Sequence, residues 1–324
     1  MRIRRIEGIL CAGNISRDIL VRPVDRLEWG TSTWVPDLLE GMGGNGSNTT
    51  YTAAMLGAPA KLLGMVGRDR QGDDLLAKLA NAGVDLSGVG RSDGPTTTTI
   101  CAVHSSGERL FIQRIGSSAE AFREAIKFTA EVIRGVSHFH LANIFALPNI
   151  GPRAPETMRQ AREAGLTTSL DTGWDTTGKW LSTVGPCLPD VDLLFVNREE
   201  ARMLTGESDP ADAAEFLRQR GAHDIVIKLG DEGCAIFTED ESLRVAAFPV
   251  EVVDTTGAGD CFAGAFLAML HRGMDYREAA RTANAVGAMV VEQLGAVTGV
   301  RDWKETKEWM RRHAPPTPAS KEVA

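Results

Sequence analysis

One segment in the last third of the chain combines a glycine-rich turn with a carboxylate. It reads DTTGAGD from residue 254 to residue 260, and an apolar run follows from residue 261 to residue 270. The first N–H groups of a helix have no partner within the helix and carry partial positive charge, so small residues there leave them open to an anion. An anion site with a proton acceptor at its rim suits phosphoryl transfer to a hydroxyl. We assign the anion hole to Gly257, Ala258 and Gly259 and the base to Asp260, which the helix N-terminus favours in its ionised form. The alternative is a plain strand-to-helix turn with Asp260 as a helix cap.

A second glycine-rich turn reads GGNGSN from residue 43 to residue 48. Glycines at such a turn let a sugar approach the backbone closely, and the amide of Asn48 offers hydroxyls both a donor and an acceptor. Gly41, Gly43 and Gly46 also match the dinucleotide fingerprint GxGxxG. That fingerprint needs a buried strand before it, and Pro36 with its charged neighbours makes a poor one. The sugar turn is therefore favoured over a dinucleotide-binding oxidoreductase.

Polar residues follow two of the strand-like apolar runs. Asn14 and Asp18 come after the first run, and a carboxylate such as Asp18 can accept two hydroxyl bonds at once. Asn197 and Glu200 follow a later run, and residues three apart share one face of a helix. The alternatives are an ordinary turn aspartate at residue 18 and a capped helix with a solvated pair of glutamates at residues 199 and 200.

In this order and separation the motifs resemble the two signatures of the ribokinase (PfkB) family of carbohydrate kinases. The resemblance spans nearly the whole chain, from Gly13 to about Gly295. It implies that the acceptor sugar is held by Asn14, Asp18, Gly43, Gly44 and Asn48.

The same resemblance implies ATP and Mg²⁺ as cofactors. It places Asn197 and Glu200 at the triphosphate, with Glu200 supporting Mg²⁺ largely through water, as Mg²⁺ prefers. The residues that it places around the nucleotide are Asn197, Lys228, Gly230, Gly233 and Asn284. A structural ion pair at Lys228 and an exposed Asn284 are the alternatives. Asp254 and Thr256 match positions that in many members help to hold a monovalent cation such as K⁺, and residues 292–297 would have to close that site.

The chain departs from the family pattern at two positions. Asn45 stands where many members carry Lys, and the loss of that charge disfavours a phosphorylated acceptor. Arg198 stands where many members carry Pro, and we expect little effect from it.

Apolar runs alternate with helical patterns, which is typical of parallel strands covered by helices on both faces. The strand-like runs are 6–12, 60–66, 136–141, 167–170, 193–196 and 225–229, and the helical patterns include 75–82, 119–133, 155–164, 258–272 and 276–292. We expect one three-layer, ribokinase-like (Rossmann-like) α/β domain over residues 1–313 with a mainly parallel sheet. Residues 18–39 and 96–115 should form a small inserted β-sheet, acting as a lid, a dimer interface or both. Residues 314–324 should form a disordered tail.

Composition excludes several classes of protein. The net charge of −8 argues against a nucleic-acid or anionic-membrane surface. The five cysteines lack metal-binding or disulfide spacing, and no apolar stretch reaches the ~20 residues of a membrane span. We therefore expect a cytoplasmic protein.

The expected activity is ATP-dependent transfer of the γ-phosphate to a hydroxyl of a small, unphosphorylated sugar, as in ribokinases and fructokinases. A nucleoside kinase of the same fold and a sugar-sensing protein without turnover stay open as alternatives. The partner is then a small sugar or nucleoside, together with a second copy of the chain if the small sheet pairs two molecules.

Overall fold

The computed structural model describes residue 3 and residues 5–106 and 108–313, and this part of the chain contains thirteen strands, nine α-helices and four short 3₁₀ helices. The strands are β1 (Ile9–Ala12), β2 (Ser16–Arg22), β3 (Asp37–Gly43), β4 (Ala60–Gly67), β5 (Asp85–Ser92), β6 (Thr98–Val103), β7 (Arg109–Arg114), β8 (His138–Ala142), β9 (Thr167–Asp171), β10 (Leu193–Asn197), β11 (Asp224–Lys228), β12 (Cys234–Phe237) and β13 (Ser242–Val245). The helices are α1 (Asn45–Met55), α2 (Arg70–Asn81), α3 (Ala154–Glu163), α4 (Leu181–Val184), α5 (Arg198–Thr205), α6 (Pro210–Arg218), α7 (Ala258–His271), α8 (Tyr276–Val291) and α9 (Trp303–Arg312).

A nine-stranded sheet forms the centre, in the order β13-β12-β11-β10-β9-β8-β1-β4-β5. The strands from β11 to β5 are parallel, and β12 and β13 add an antiparallel edge. Successive side chains of a strand point to opposite faces, so Ile9 and Cys11 enter one apolar core while Leu10 and Ala12 enter the other. Helices cover both faces, which confirms the predicted three-layer α/β fold.

The predicted small sheet is present and has the order β3-β2-β6-β7. β2 pairs antiparallel with β3 and parallel with β6, and β7 completes the sheet antiparallel to β6. β3 extends beyond the predicted segment and ends at Gly43. The glycine turn is consequently the last part of a small-sheet strand and leads directly into α1.

One predicted helix was wrong. Residues 119–133 have helical spacing, but the structure contains a short 3₁₀ turn at Gly116–Ala119 and then irregular backbone. Side chains from later in the sequence donate hydrogen bonds to the backbone carbonyls of this segment. Asn149 donates to Ala119 and Ala121, and Arg153 donates to Phe122. Phe122 has a φ of 56°, which a regular helix does not allow.

Two other sequence expectations concern the ends of the chain and membranes. Residues 314–324, the predicted tail, lie outside the described residues. Among the helices that the structure describes, none has both the length and the apolar character needed to cross a membrane.

Candidate active site

The DTTGAGD segment forms the N-terminus of α7 as predicted. Gly257 precedes the helix with a φ of 73°, and a Cβ on it would lie 2.6 Å from the backbone oxygen of Ala296. Only glycine accommodates both the left-handed backbone and this close approach. Gly257, Ala258 and Gly259 line a cavity of about 770 Å³, so the open end of the helix faces space large enough for a ligand.

Asp260 lies in the first turn of α7 and lines the same cavity. Its Oδ1 accepts the Nδ2–H of Asn45 at 2.8 Å, and its Oδ2 accepts the Nδ2–H of Asn48 at 2.9 Å. Burial raises the pKa of Asp260, while the two amide bonds act to lower it. The ionised form that the sequence predicts is thus opposed by burial and supported by side-chain donors from α1.

The acceptor end brings together the remaining residues of the first signature. Asp18 accepts the Oγ–H of Ser16 at 2.8 Å, and a Cβ on Gly43 would lie only 1.9–2.2 Å from the Asp18 carboxylate. Burial raises the pKa of Asp18 to about 6, and the negative charges of Asp260 and Asp254 add to the rise. Asp18 and Asp260 therefore belong to one electrostatic site.

Two residues assigned to the sugar also shape the turn itself. The Oδ1 of Asn14 accepts the backbone N–H of Asn45 at 2.9 Å. The backbone oxygen of Asn14 accepts the backbone N–H of Ser47 at 3.3 Å. Gly44 precedes α1 with a φ of 92°. The Oδ1 of Asn48 is buried and has no hydrogen-bond partner among the residues that the structure describes, so this acceptor is unused.

At the far end of the cavity, Asn197 and Glu200 form a capping box at the start of α5. Asn197 Oδ1 accepts the Glu200 N–H, and Glu200 Oε2 accepts the Asn197 N–H, each at 2.8 Å. The Thr172 hydroxyl also donates to Glu200 at 3.2 Å. Burial raises the pKa of Glu200, whereas the charge of Lys228 lowers it. The side chain lines the cavity and is not the solvated glutamate of the alternative reading.

Lys228 forms a buried ion pair with Asp171, with Nζ and Oδ2 2.8 Å apart. Burial acts to lower the pKa of Lys228, but Asp171 and Glu200 outweigh it and raise that pKa. A Cβ on Gly259 would lie 3.2 Å from the Lys228 Nζ. The ammonium group therefore lies beside the anion hole as well as in an ion pair.

The other residues assigned to the nucleotide line the same cavity. Gly230 and Gly233 flank the turn between β11 and β12. Asn284 is buried on α8, not exposed, and its Nδ2 donates to the backbone oxygens of Val245 and Ala246. It thereby fixes the segment after β13, whose residues 247–250 form one wall of the cavity.

Asp254 closes a loop behind the anion hole. Its Oδ1 accepts the Thr256 N–H at 2.9 Å and the Thr256 hydroxyl at 2.7 Å, and its Oδ2 accepts the Gly295 N–H at 3.0 Å. The segment that the sequence requires to close this region therefore does contact Asp254.

Sequence reasoning missed Asn143 and Asp171 and treated Asn45 only as a departure from a pattern. Asn143 donates to Asn45 at 3.1 Å, and Asp171 pairs with Lys228. Both follow or end a buried parallel strand, β8 or β9, and ligand sites lie at the carboxyl ends of such strands. Their position at the carboxyl end of a parallel strand was the feature of the sequence that could have indicated both residues.

The dinucleotide reading fails on topology. The GxGxxG match does lie between a strand and a helix, but the strand is β3 of the small sheet, not a strand of the central parallel sheet. The fingerprint belongs to a βαβ unit in which both strands lie in one parallel sheet.

Comparison with known proteins identifies the family of this chain. The model of the pfkB family of carbohydrate kinases matches residues 7–303. A 2-dehydro-3-deoxygluconokinase of Bacillus subtilis is 28% identical over 285 residues, covering 84% of this chain and 87% of the relative. Fructokinase-1 of Zea mays is 30% identical over 277 residues, covering 81% and 86%. The solved structure of Arabidopsis thaliana ribokinase, complexed with ribose and ATP, has a TM-score of 0.82 and 25% identity, and the match covers 94% of this chain and 99% of that one.

A three-layer α/β fold with a glycine-rich turn and a carboxylate at the start of α7 is that of a phosphotransferase. The chain belongs to the pfkB family of carbohydrate kinases, and it is an ATP-dependent sugar kinase.

Proposed function

We propose that this kinase phosphorylates a hydroxyl of a small, unphosphorylated sugar. The observation that carries the proposal is the position of Asp260, which lies between the anion hole on α7 and the acceptor turn on α1 and is bonded to Asn45 and Asn48. An amide stands at residue 45, and the carboxylates of Asp18 and Asp260 share this end of the site. These two negative charges oppose an acceptor that already carries a phosphate.

The residues then divide the reaction between them. Asp18, Gly43, Gly44 and Asn48 position the acceptor, and Asp260 takes the proton of its hydroxyl. The hydroxyl oxygen forms a bond to the γ-phosphorus of ATP as the bond from that phosphorus to the β,γ-bridging oxygen breaks, and ADP leaves. The backbone N–H groups of the Gly257–Gly259 turn stabilise the charge on the transferred group.

The nucleotide occupies the larger end of the cavity. Asn197, Lys228 and the glycine turn at Gly230 and Gly233 surround its phosphates and sugar, and Asn284 fixes the wall beside its base. The Lys228 ammonium lies beside Gly259, which places a positive charge near the transferred phosphate.

Two kinds of cation complete the proposal. Glu200 suits Mg²⁺ because it is a buried carboxylate on the cavity wall, and Mg²⁺ keeps several of its waters and binds few carboxylates. Mg²⁺ bound there would neutralise charge on the phosphates. Asp254 and Thr256 offer oxygens behind the anion hole for K⁺. We expect turnover to require Mg²⁺, with Glu200→Gln needing more of it, and to fall when tetramethylammonium replaces K⁺. An unchanged Mg²⁺ titration or full activity without K⁺ would remove the corresponding site.

We propose a separate role for each face of the small sheet. Arg109 and Phe111 of β7 face the site, since Arg109 donates to Thr256 and Phe111 lines a small cavity with Asp18. Alternate residues of a strand point to opposite faces, so Leu110 and Ile112 point away from the site, where both are about half exposed. We propose that the inner face acts as a lid and that a second copy of the chain covers the outer face.

The decisive experiment is ADP release from Mg-ATP with a panel of unphosphorylated sugars, sugar acids and nucleosides. Turnover on one acceptor class is expected, and Asp260→Asn should reduce kcat at least ~100-fold while ATP still binds, because the amide cannot accept the hydroxyl proton. Asp212→Asn, a neutralised aspartate that is exposed on α6 and does not line the cavity, serves as the control. Wild-type turnover by Asp260→Asn would overturn the base assignment.

Turnover on nucleosides alone would favour the nucleoside kinase, and ligand binding without ADP release would favour a sensor.

A further inference from the structure

Three side chains form a hydrogen-bonded chain that ends at Asp260. Asn143 follows β8 and donates its Nδ2–H to the Oδ1 of Asn45 at 3.1 Å. Asn45 in turn donates its own Nδ2–H to Asp260 at 2.8 Å. The chain crosses from the central sheet to α1 and on to α7, so it ties three separate elements together at the base.

The direction of this chain is fixed at its first member. The Oδ1 of Asn143 accepts the backbone N–H of Phe145 at 3.0 Å, and a backbone N–H can only donate. The amide of Asn143 must therefore turn its nitrogen towards Asn45. Asn45 must accept this N–H with its side-chain oxygen, so its side-chain nitrogen is left to donate to Asp260.

The backbone conformation and the close packing of a neighbouring loop confine Asn143. It adopts a φ of 61°, a left-handed conformation that asparagine tolerates better than most residues. A Cβ on Gly173 would lie 2.2 Å from the Asn143 side chain, so the opposite loop leaves room for this side chain and little else. The backbone N–H of Asn45 is fixed separately by Asn14.

We propose that Asn143 is a positioning residue that acts through Asn45, forming a one-way relay that presents an N–H, never a carbonyl oxygen, to the catalytic base. The inference rests on the proposed role of Asp260. A donor at this oxygen stabilises the carboxylate, and each carboxylate oxygen can still accept a second bond from the acceptor hydroxyl.

Several negatively charged groups surround Asp260 and oppose its ionisation. Asp18 on β2 and Asp171 at the end of β9 face Asp260 with like charge, and Lys228 at the end of β11 is the nearby cation. The buried thiols of Cys11 and Cys261 face the same carboxylate. Burial and the charge of Asp171 raise the pKa of Asp260 and favour the protonated acid, so the two amide donors and the charge of Lys228 act to keep the base ionised.

The test substitutes Asn143 in two ways. In Asn143→Asp the new carboxylate can only accept, so the Asn45 amide should turn its N–H towards it and its oxygen towards Asp260. Asn143→Gly removes the relay without adding charge and tolerates the left-handed backbone. The control is Asn149→Asp, which adds the same charge at an asparagine whose amide bonds the Ala119 and Ala121 carbonyls instead of a site residue.

The readout is the titration of Asp260 by NMR of protein labelled with ¹³C at the aspartate carboxyl, with the resonance identified by its absence in Asp260→Asn. We expect the midpoint to move up by about one pH unit in Asn143→Asp, by less in Asn143→Gly, and not at all in the control. The acidic limb of the kcat/KM profile should move with it.

An unmoved midpoint in a folded Asn143→Gly protein would overturn the relay, as would a fall in kcat/KM that is equal at every pH. The NMR titration needs no turnover. If the wild-type protein releases no ADP with any acceptor, the proposed reaction fails while the relay is still tested.

Discussion

Two glycines of β3 show how strictly single residues are specified at the acceptor end. A Cβ on Gly43 would overlap the Asp18 carboxylate, whereas a Cβ on Gly41 would meet no atom of the described residues within 4 Å. Both residues lie on β3. They differ in whether the space beside the backbone could hold a methyl group. The first glycine is thus required by the position of Asp18, and the second is not.

Gly43→Ala is therefore expected to displace Asp18 and to lower kcat/KM for the acceptor by roughly 100-fold, since an error of about 1 Å in substrate positioning has costs of this size. ATP affinity should stay unchanged because the nucleotide end lies elsewhere in the cavity. Isothermal titration with an ATP analogue and steady-state kinetics on the acceptor measure the two effects. Gly41→Ala is the matched control and should behave as wild type. Equal effects of the two substitutions would contradict this account of Gly43.

Individual site residues were predictable where a short segment carries them. The anion turn and Asp260 lie within seven residues, and the acceptor turn lies within six. Asn143 was not predictable because its role depends on a bond to Asn45, 98 residues away in sequence. The hydrogen bonds of Asn284 to the segment after β13 were not predictable for the same reason, since its partners lie 38 and 39 residues away.

At the scale of elements, parallel strands were the most predictable feature. Strands covered on both faces are continuous apolar runs, and β4, β9 and β10 lie within one residue of their predicted bounds. Residues 119–133 show the limit of this reasoning. Their apolar spacing fits a helix, but Asn149 and Arg153 bind carbonyls that the helix would have used. Tertiary hydrogen bonds decided the outcome, and the local pattern does not contain them.

The capping box at Asn197 and Glu200 has two explanations that hold together. The reciprocal bonds start α5, as expected for a capped helix, and they also hold a buried carboxylate at the wall of the cavity. A structural motif can thus position a functional group, so confirming the cap does not remove the proposed cation role.

In the whole molecule, the site exists only where the two halves of the chain meet. Asn45 and Asn48 on α1 bond Asp260, which is more than 200 residues later in the sequence. The paired signatures predicted that the two turns converge, because each is incomplete alone. The geometry of their contact, and the burial that raises the pKa of Asp260, arise only from packing α1 against α7.

The outer face of the small sheet leads to the last prediction. Leu38, Leu110 and Ile112 are 50–60% exposed there, and Trp29 and Trp34 are almost fully exposed on the segment between β2 and β3. β7 is also an edge strand, which offers unpaired backbone groups to another chain. Contiguous apolar surface of this kind marks an interaction site, and a second copy supplies a matching apolar surface.

We expect sedimentation equilibrium to give twice the chain mass of 34.8 kDa at high protein concentration. Ile112→Lys should shift the protein to the monomer, because it buries a charge in the proposed interface. Met203→Lys, at an exposed apolar residue of α5, is the control and should leave association intact. If the lid depends on its partner for order, Ile112→Lys should also raise the KM for the acceptor more than that for ATP. A wild-type protein that stays at 34.8 kDa at every concentration would rule out the dimer, and the exposed sheet would then need a different partner.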